Sequence, residues 1–384
     1  MQKEINSQRD IAIDATRGLA MLLVFIAHFG WILSKKGGST KLLYLTTNIG
    51  LFASPLFMIL SGCMLGYYYQ KKKDDVVNFQ KKFIDRGFFL LTIGHFLIML
   101  AHLQLSGTLA KAFRWGFITD AIGVSMICGA LLVPVMPATR RLVLGFVLYA
   151  MASILSIVWW PASPFGIFIK ETLIGSSIGH YYIYNFPFMQ WFALYIAGSY
   201  LGERISVYTR DRKENEIGDI VRLAVLCLLL FLAVKVIMKL LVLLGSISEN
   251  GMLYIFITKQ SQKLPPSIGY FLYHGCTGIM MLLLFMKYRE NEKVKKVLQV
   301  MAFIGQASLA VFIVQYYIYY TVFFSIHTGD AIYWVAPLYL IVSVAFLWWF
   351  ARMWVRLGWN KYLSVLYPIM LLQQSSTVWV RKPK

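Results

Sequence analysis

Ten apolar stretches run through the chain, near 12–34, 43–69, 86–104, 117–137, 142–160, 184–202, 220–245, 266–287, 303–325 and 331–353. Each is close to the roughly 20 helical residues that a bilayer core demands, and the longer ones fit by tilting. Polar residues gather between the stretches, with no soluble domain or low-complexity linker among them. This alternation predicts an all-α, polytopic membrane helix bundle of about ten transmembrane helices. Residues 161–183 are apolar enough to form a re-entrant or interfacial segment. The first apolar stretch is long and no small-residue cleavage site follows it, so a retained helix is expected rather than a removed signal. Residues 1–355 read as a single transmembrane domain and 356–384 as a short cytoplasmic interfacial tail.

Composition agrees with that class. Hydrophobic residues make up 59% of the chain and charged residues 14%, which excludes an ordinary soluble domain. The formal net charge of +20 would suit nucleic acid if it formed one stripe, but the basic residues fall between the apolar runs. They are read as topology signals and contacts to anionic membrane lipids, so no nucleic-acid partner is expected. With the N-terminus inside, 27 of the 37 Lys and Arg residues fall in inner segments and eight in outer loops. That bias predicts both termini in the cytoplasm and an even number of spans; the expected location is a bacterial inner (plasma) membrane.

Candidate chemistry starts with histidine. His28 lies within the first apolar stretch, roughly 16 Å beyond Arg17 at the helical rise, which is near mid-membrane. An ionisable group there is costly unless it faces a cavity or a partner, so it is a functional candidate; a neutral imidazole bonded to a neighbouring helix is the bland alternative. His95 stands at about the same depth beyond Arg86 and shares a helix face with His102. His102, His180, His274 and His327 fall at outer ends, and no histidine falls in a cytoplasmic loop. Proton-transfer chemistry at mid-membrane or just outside is the sharper reading.

The remaining polar residues carry paired readings. The lysines of KKKDDVVNFQKKFIDRG (71–87) suit positive-inside anchoring, whereas Arg86 borders an apolar run and can turn into the bundle toward a phosphate or a polarised carbonyl. Asp120 begins the fourth span, as a helix N-terminal acid or as a group orienting a histidine. Lys235 and Lys239 are one turn apart in the seventh span, snorkelling outward or holding an anionic acceptor. The clusters YYIY (181–184), QYYIYY (315–320) and WWF (348–350) read as an interfacial aromatic belt. Cys63, Cys128, Cys227 and Cys276 have no paired spacing, so neither a metal site nor a disulfide framework is expected.

DATRGLAMLLVFIAHF resembles the first helix of the transmembrane acyltransferase superfamily, which includes the acyltransferase 3 proteins and the heparan-α-glucosaminide N-acetyltransferase-like membrane proteins. Asp14, Arg17, Gly18 and His28 match its pattern of an acid, Arg-Gly and a later histidine. GLFASPLFMILSGCMLG (50–66) resembles the second-helix segment through Pro55, Phe57, Ser61 and Gly62, and DRGFFLLTIGHF (85–96) the basic start of the third helix. FPFMQWFALYIAGSYLGERI (186–205) and GQASLAVFIVQYYI (305–318) resemble later helices, including a mid-helix glutamine, here Gln315.

The resemblance implies acyl transfer from a cytoplasmic acyl-CoA, acetyl-CoA first, to a hydroxyl or amine of an extracytoplasmic glycan or glycolipid. His28 is then the general base or the transient acyl carrier, with His95, Asp14 and Asp120 as further catalytic candidates. Arg17, Arg86, Lys82 and Gln315 are the expected donor-binding residues. The chain departs from the family pattern in two places: Arg86 stands beside Lys81 and Lys82 rather than in Arg-x-x-Arg, and residues 50–60 hold no acid. The acid that would orient His28 is therefore open between Asp14 and Asp120. A transporter or flippase for an anionic lipid-linked or sugar substrate is the competing class, and a sensor or scaffold without turnover a third. The outer loops 161–183 and 246–265 are the expected seat of acceptor specificity.

Overall fold

The computed structural model describes residues 10–35, 40–175, 181–182, 186–211, 213–326 and 332–367. They are helical, with no strand among them beyond a single bridge between Lys263 and Pro266. The principal helices are α1 (Ile11–Lys35), α2 (Thr40–Gly50), α3 (Ala53–Lys71), α4 (Val76–Ala101), α5 (Ile118–Leu132) and α6 (Ala138–Val158). They continue as α7 (Phe188–Asp211), α8 (Glu214–Leu243), α9 (Ile268–Tyr288), α10 (Glu292–Gln306), α11 (Ser308–Phe323) and α12 (Ile332–Arg356).

Seven helical runs are long and apolar enough to cross a membrane, and α10 with α11, bent by 71° at their junction, makes up to eight. The other two expected spans fall on α5 and α7. Helix α5 is apolar but has only 15 residues, and α7 has 24 residues but carries Glu203, Arg204, Arg210 and Asp211 in its second half. The sequence reads 303–325 as one span, whereas Ala307 breaks the helical run between Gln306 and Ser308. Outward faces are strongly apolar, as lipid contact requires: Leu229, Val236 and Leu240 on α8 and Leu338 and Ile341 on α12 are all exposed.

Inside, α7 packs against α3 and α6, and α10 against α1. Lipid tails are as apolar as leucine, so helices in a membrane associate through close packing of small residues. Gly62 and Gly66 of α3 meet Gly198 and Gly202 of α7; a Cβ on Gly62 would stand 1.8 Å from the Tyr195 carbonyl oxygen, and one on Gly202 1.8 Å from that of Cys63. The same close approach joins α1 to α10 at Gly18 and Gly305. Buried ion pairs reinforce the frame. Asp10 accepts the Ala12 N–H at the start of α1 and pairs with Arg289. Arg141, one of the basic residues read as a topology signal, is fully buried and pairs with Glu203 while donating to Ser199 Oγ at 2.9 Å.

Candidate active site

Helix α1 presents Asp14 and Arg17 near one end of the bundle and His28 toward the other, so one helix serves two cavities. His28 faces α11, where residues Tyr317–Phe323 form a π-helical stretch. Such widened turns re-aim side chains and recur at functional sites. Here the stretch buries Tyr319 and Tyr320 against the imidazole. The His28 ring stacks on Tyr319 at 5.2 Å and 10°, and Tyr316 lies 5.6 Å away. Nδ1 of His28 is 2.7 Å from the Tyr320 hydroxyl. The partner that orients His28 is thus a phenol, not a carboxylate. The QYYIYY run, expected in an interfacial belt, lies in the core at this point: Tyr319 is fully buried.

His28 opens onto a cavity of about 440 Å³, lined also by His102, Trp31, Trp115 and Lys263. His102, rather than His95, shares this cavity; its ring sits 4.1 Å from that of Tyr320 and 5.0 Å from that of Trp115. The floor is made by Phe57 and Phe312, nearly parallel at 6.4 Å.

The same two phenylalanines roof a second cavity of about 370 Å³ on the other side, lined by Arg17, Lys82, Arg86, Ser61 and Ser308. Arg17 Nη2 donates to Ser308 Oγ at 2.5 Å, and its Nη1 lies 3.9 Å from Asp14 Oδ1. Lys82 and Arg86, one turn apart on α4, share a face, and the Lys82 ammonium sits 4.0 Å above the Tyr68 ring. A neighbouring recess of about 350 Å³ shares Lys82 and Arg86 and adds Lys81 and Lys361.

Part of this wall comes from the segment after α12. Asn360 accepts from Trp354 Nε1 at 3.1 Å and donates to the Gln306 carbonyl at 3.2 Å. Asp85 Oδ1 accepts the Val365 and Leu366 N–H groups, both at 2.9 Å. Residues 360–366, expected as an interfacial tail, are thereby held against α4 and wall both basic recesses.

The other expected site residues lie elsewhere. Asp120 accepts the Phe117 N–H at 2.8 Å, as a helix N-terminal acid does, and also faces His95 Nδ1 at 3.0 and 3.1 Å. It orients a histidine, but His95 rather than His28. Asp14 stands fourteen residues before His28 on the same helix, about 21 Å away at the helical rise, and pairs with Arg17 instead. Gln315 is fully buried and lines neither cavity; among the described residues its amide atoms have no hydrogen-bond partner. Lys235 and Lys239 are exposed on α8 and also lie outside the cavities. His274 is a core histidine whose Nε2 lies 3.2 Å from the Gln260 carbonyl. His180 and His327 fall outside the described residues.

Sequence reasoning missed Tyr320, Ser308 and Lys263. The signal for Tyr320 was present, since Tyr316, Tyr319 and Tyr320 follow the i, i+3, i+4 spacing of one helix face.

A histidine inside an apolar bundle thus stands across an aromatic partition from a cluster of cations. The sequence model of a family described as an acyltransferase domain matches residues 10–352. The chain belongs to that acyltransferase 3 family and is an integral membrane acyltransferase. No curated protein matches it. The matched region stops before Asn360 and Leu363, so part of the basic cavity is built outside it.

Proposed function

We propose that the chain moves an acyl group, acetyl first, from a cytoplasmic acyl-CoA to a hydroxyl or amine of an extracytoplasmic glycan or glycolipid. The observation that carries this reading is the pair of cavities meeting at Phe57 and Phe312, with Arg17, Lys82 and Arg86 on one side and His28 on the other. The excess of basic residues at the Arg86 end favours the cytoplasm for that side, with ten traversals and both termini inside. Guanidinium and ammonium groups bind phosphates through charge-assisted hydrogen bonds, and Lys81, Lys82, Arg86 and Lys361 offer four such groups around one recess for a nucleotide head group. The pantetheine arm then runs through the Arg17 cavity and brings its thioester to the phenylalanine pair.

At that point His28 supplies the base. With Nδ1–H donating to the Tyr320 oxygen, Nε2 keeps the basic lone pair on a ring that lines the cavity. Nε2 takes the acceptor proton as the acceptor oxygen or nitrogen bonds to the acyl carbon. The C–S bond breaks, and the proton passes from the imidazolium to the departing thiolate. Among the described residues no carboxylate bonds the imidazole, and the stacked Tyr319 ring and its tyrosine neighbours stabilise the transient positive charge. Tyr320→Phe keeps the ring and loses the orienting hydroxyl. A hydrogen bond worth about 1 kcal/mol is lost, and the rate of transfer is expected to fall about 5- to 10-fold with acyl-CoA affinity retained. A rate equal to wild type would remove Tyr320 from the mechanism.

The test of the whole reading is a titration of the purified protein in nanodiscs with acetyl-CoA, following melting temperature and free-thiol release. A ligand that binds the folded state raises the melting temperature by mass action. Arg86→Ala, and separately Lys82→Ala, should weaken that stabilisation, with apparent affinity down about tenfold for each lost charged contact. If no acyl-CoA of any chain length stabilises the folded protein or releases thiol, the transferase reading fails and a carrier for anionic substrates takes its place.

A further inference from the structure

Resting on the acyltransferase reading, we infer that Lys263 selects an acceptor carrying an anionic group, a carboxylate or a phosphate, beside the hydroxyl or amine that is acylated. Lys263 lines the His28 cavity from the loop between Met252–Thr258 and α9. Among the described residues no Asp or Glu lines that cavity, and no carboxylate pairs with Lys263. Its ammonium lies 5.0 Å from the centre of the Phe186 ring. A cation held among rings and histidines recovers its lost hydration best from an anion brought by the ligand.

The loop makes Lys263 a placed group rather than a snorkelling one. Ser267 N–H donates to the Gln262 carbonyl at 2.9 Å, and Ser267 Oγ to the Lys259 carbonyl at 2.6 Å. Gln262 Nε2 donates to the Leu264 carbonyl at 3.1 Å, and Tyr149 Oη to that of Pro266 at 3.0 Å. His274 secures Gln260. A loop bound at both ends and to two other helices holds its lysine at a fixed point over the cavity. The other polar lining groups fit the rest of such an acceptor: Trp31 and Trp115 offer apolar faces for a sugar ring, and His28 the base.

Burial pushes the Lys263 ammonium down to about 8. Among the described residues the titratable groups that line the cavity with it are His28 from α1, His102 at the end of α4, and Tyr316 and Tyr320 from α11. Lys263 is charged below its pKa and neutral above it, so anion selection should be full near pH 7 and fade as pH rises through about 8.

The experiment compares matched acceptors that differ only in charge: methyl glucuronide against methyl glucoside for the carboxylate, and glycerol 3-phosphate against glycerol for the phosphate. Acetyl transfer and thermal stabilisation are both measured in wild type, Lys263→Gln and Lys263→Arg. The expected result is a charged-over-neutral ratio that falls about 10- to 100-fold in Lys263→Gln and survives in Lys263→Arg. The pair that shows the ratio identifies the anion. An oxyanion-stabilising lysine would slow charged and neutral acceptors alike, and an unchanged ratio in Lys263→Gln overturns the inference. Should either variant fail to fold, the wild-type ratio between pH 7 and pH 9.5 decides: with the glucuronide pair it must fall, and a flat ratio overturns the inference equally. Stabilisation by the acceptors needs no turnover. Absence of acyl-CoA binding would therefore sink the transferase reading and leave the anion result standing by itself.

Discussion

His28→Ala is expected to lower acyl transfer by about 10²–10⁴-fold, the range that a positioned general base contributes. The loss should fall on turnover and leave donor affinity alone, because His28 lines only the cavity beyond Phe57 and Phe312 while Arg17, Lys82 and Arg86 line the other. Removing the ring also unstacks Tyr319 and takes away the Nδ1 contact of the Tyr320 hydroxyl, but a cavity-lining side chain leaves less void than a core one when truncated. Acetyl-CoA should therefore still raise the melting temperature of the variant, and its failure to do so would mean that the two cavities are not separate in function. A turnover within tenfold of wild type would show that no base is needed at this position, or that another group supplies it; His102 is the group to replace next, since its ring packs on Tyr320.

The second large effect is structural in origin and catalytic in readout. Gly18 of α1 lies so close to α10 that a Cβ there would stand 2.0 Å from the Met301 carbonyl oxygen and 3.2 Å from the Gly305 nitrogen. The obstacle is backbone, which cannot rotate aside, so Gly18→Ala must push α1 and α10 apart by about the radius of a methyl group. Overpacking of this kind costs about 1–3 kcal/mol of stability. The functional cost is greater, because α1 carries Arg17 into one cavity and His28 into the other. A displacement of about 1 Å at a reacting centre lowers rates about 10²-fold. Gly218, in the first turns of α8, has no atom within 4 Å of its would-be Cβ and serves as the control. Gly218→Ala should be neutral or slightly stabilising, as alanine in a helix normally is. The expectation for Gly18→Ala is a lower melting temperature together with reduced turnover; behaviour like that of Gly218→Ala would refute it. The Arg-Gly pair of α1 thus holds two tasks in adjacent residues: the arginine faces the cavity it shares with Lys82 and Arg86, and the glycine sets the distance to α10.

Much of the helix layout was legible in the chain because length and apolarity are local properties. The seven runs that qualify as spans all fall on predicted ones, and His28 was singled out by being ionisable in an apolar stretch. What was not legible depends on which faces meet. The partner of Asp120 is His95, on another helix 25 residues away, and periodicity names a face without naming its neighbour. Arg141 has the sequence context of a topology signal, yet Glu203 and Ser199 bury it between α6 and α7. The tyrosines of 315–320 fit an aromatic belt by composition, and only the packing of α11 on α1 turns them to His28. Lys263 sits in a loop already marked for specificity, but its aim is set by hydrogen bonds to groups in α6 and α9 as much as by its own neighbours.

The recess around Lys82 and Arg86 joins distant parts of the chain. Its walls include Arg17, from α1, and Asn360 and Leu363, which follow α12. The Gln306 carbonyl accepts from Asn360 and Asp85 from Val365, so this stretch is bonded to both α10 and α4. A chain shortened before Asn360 is therefore expected to keep every membrane-crossing helix and yet lose part of the wall of both basic recesses.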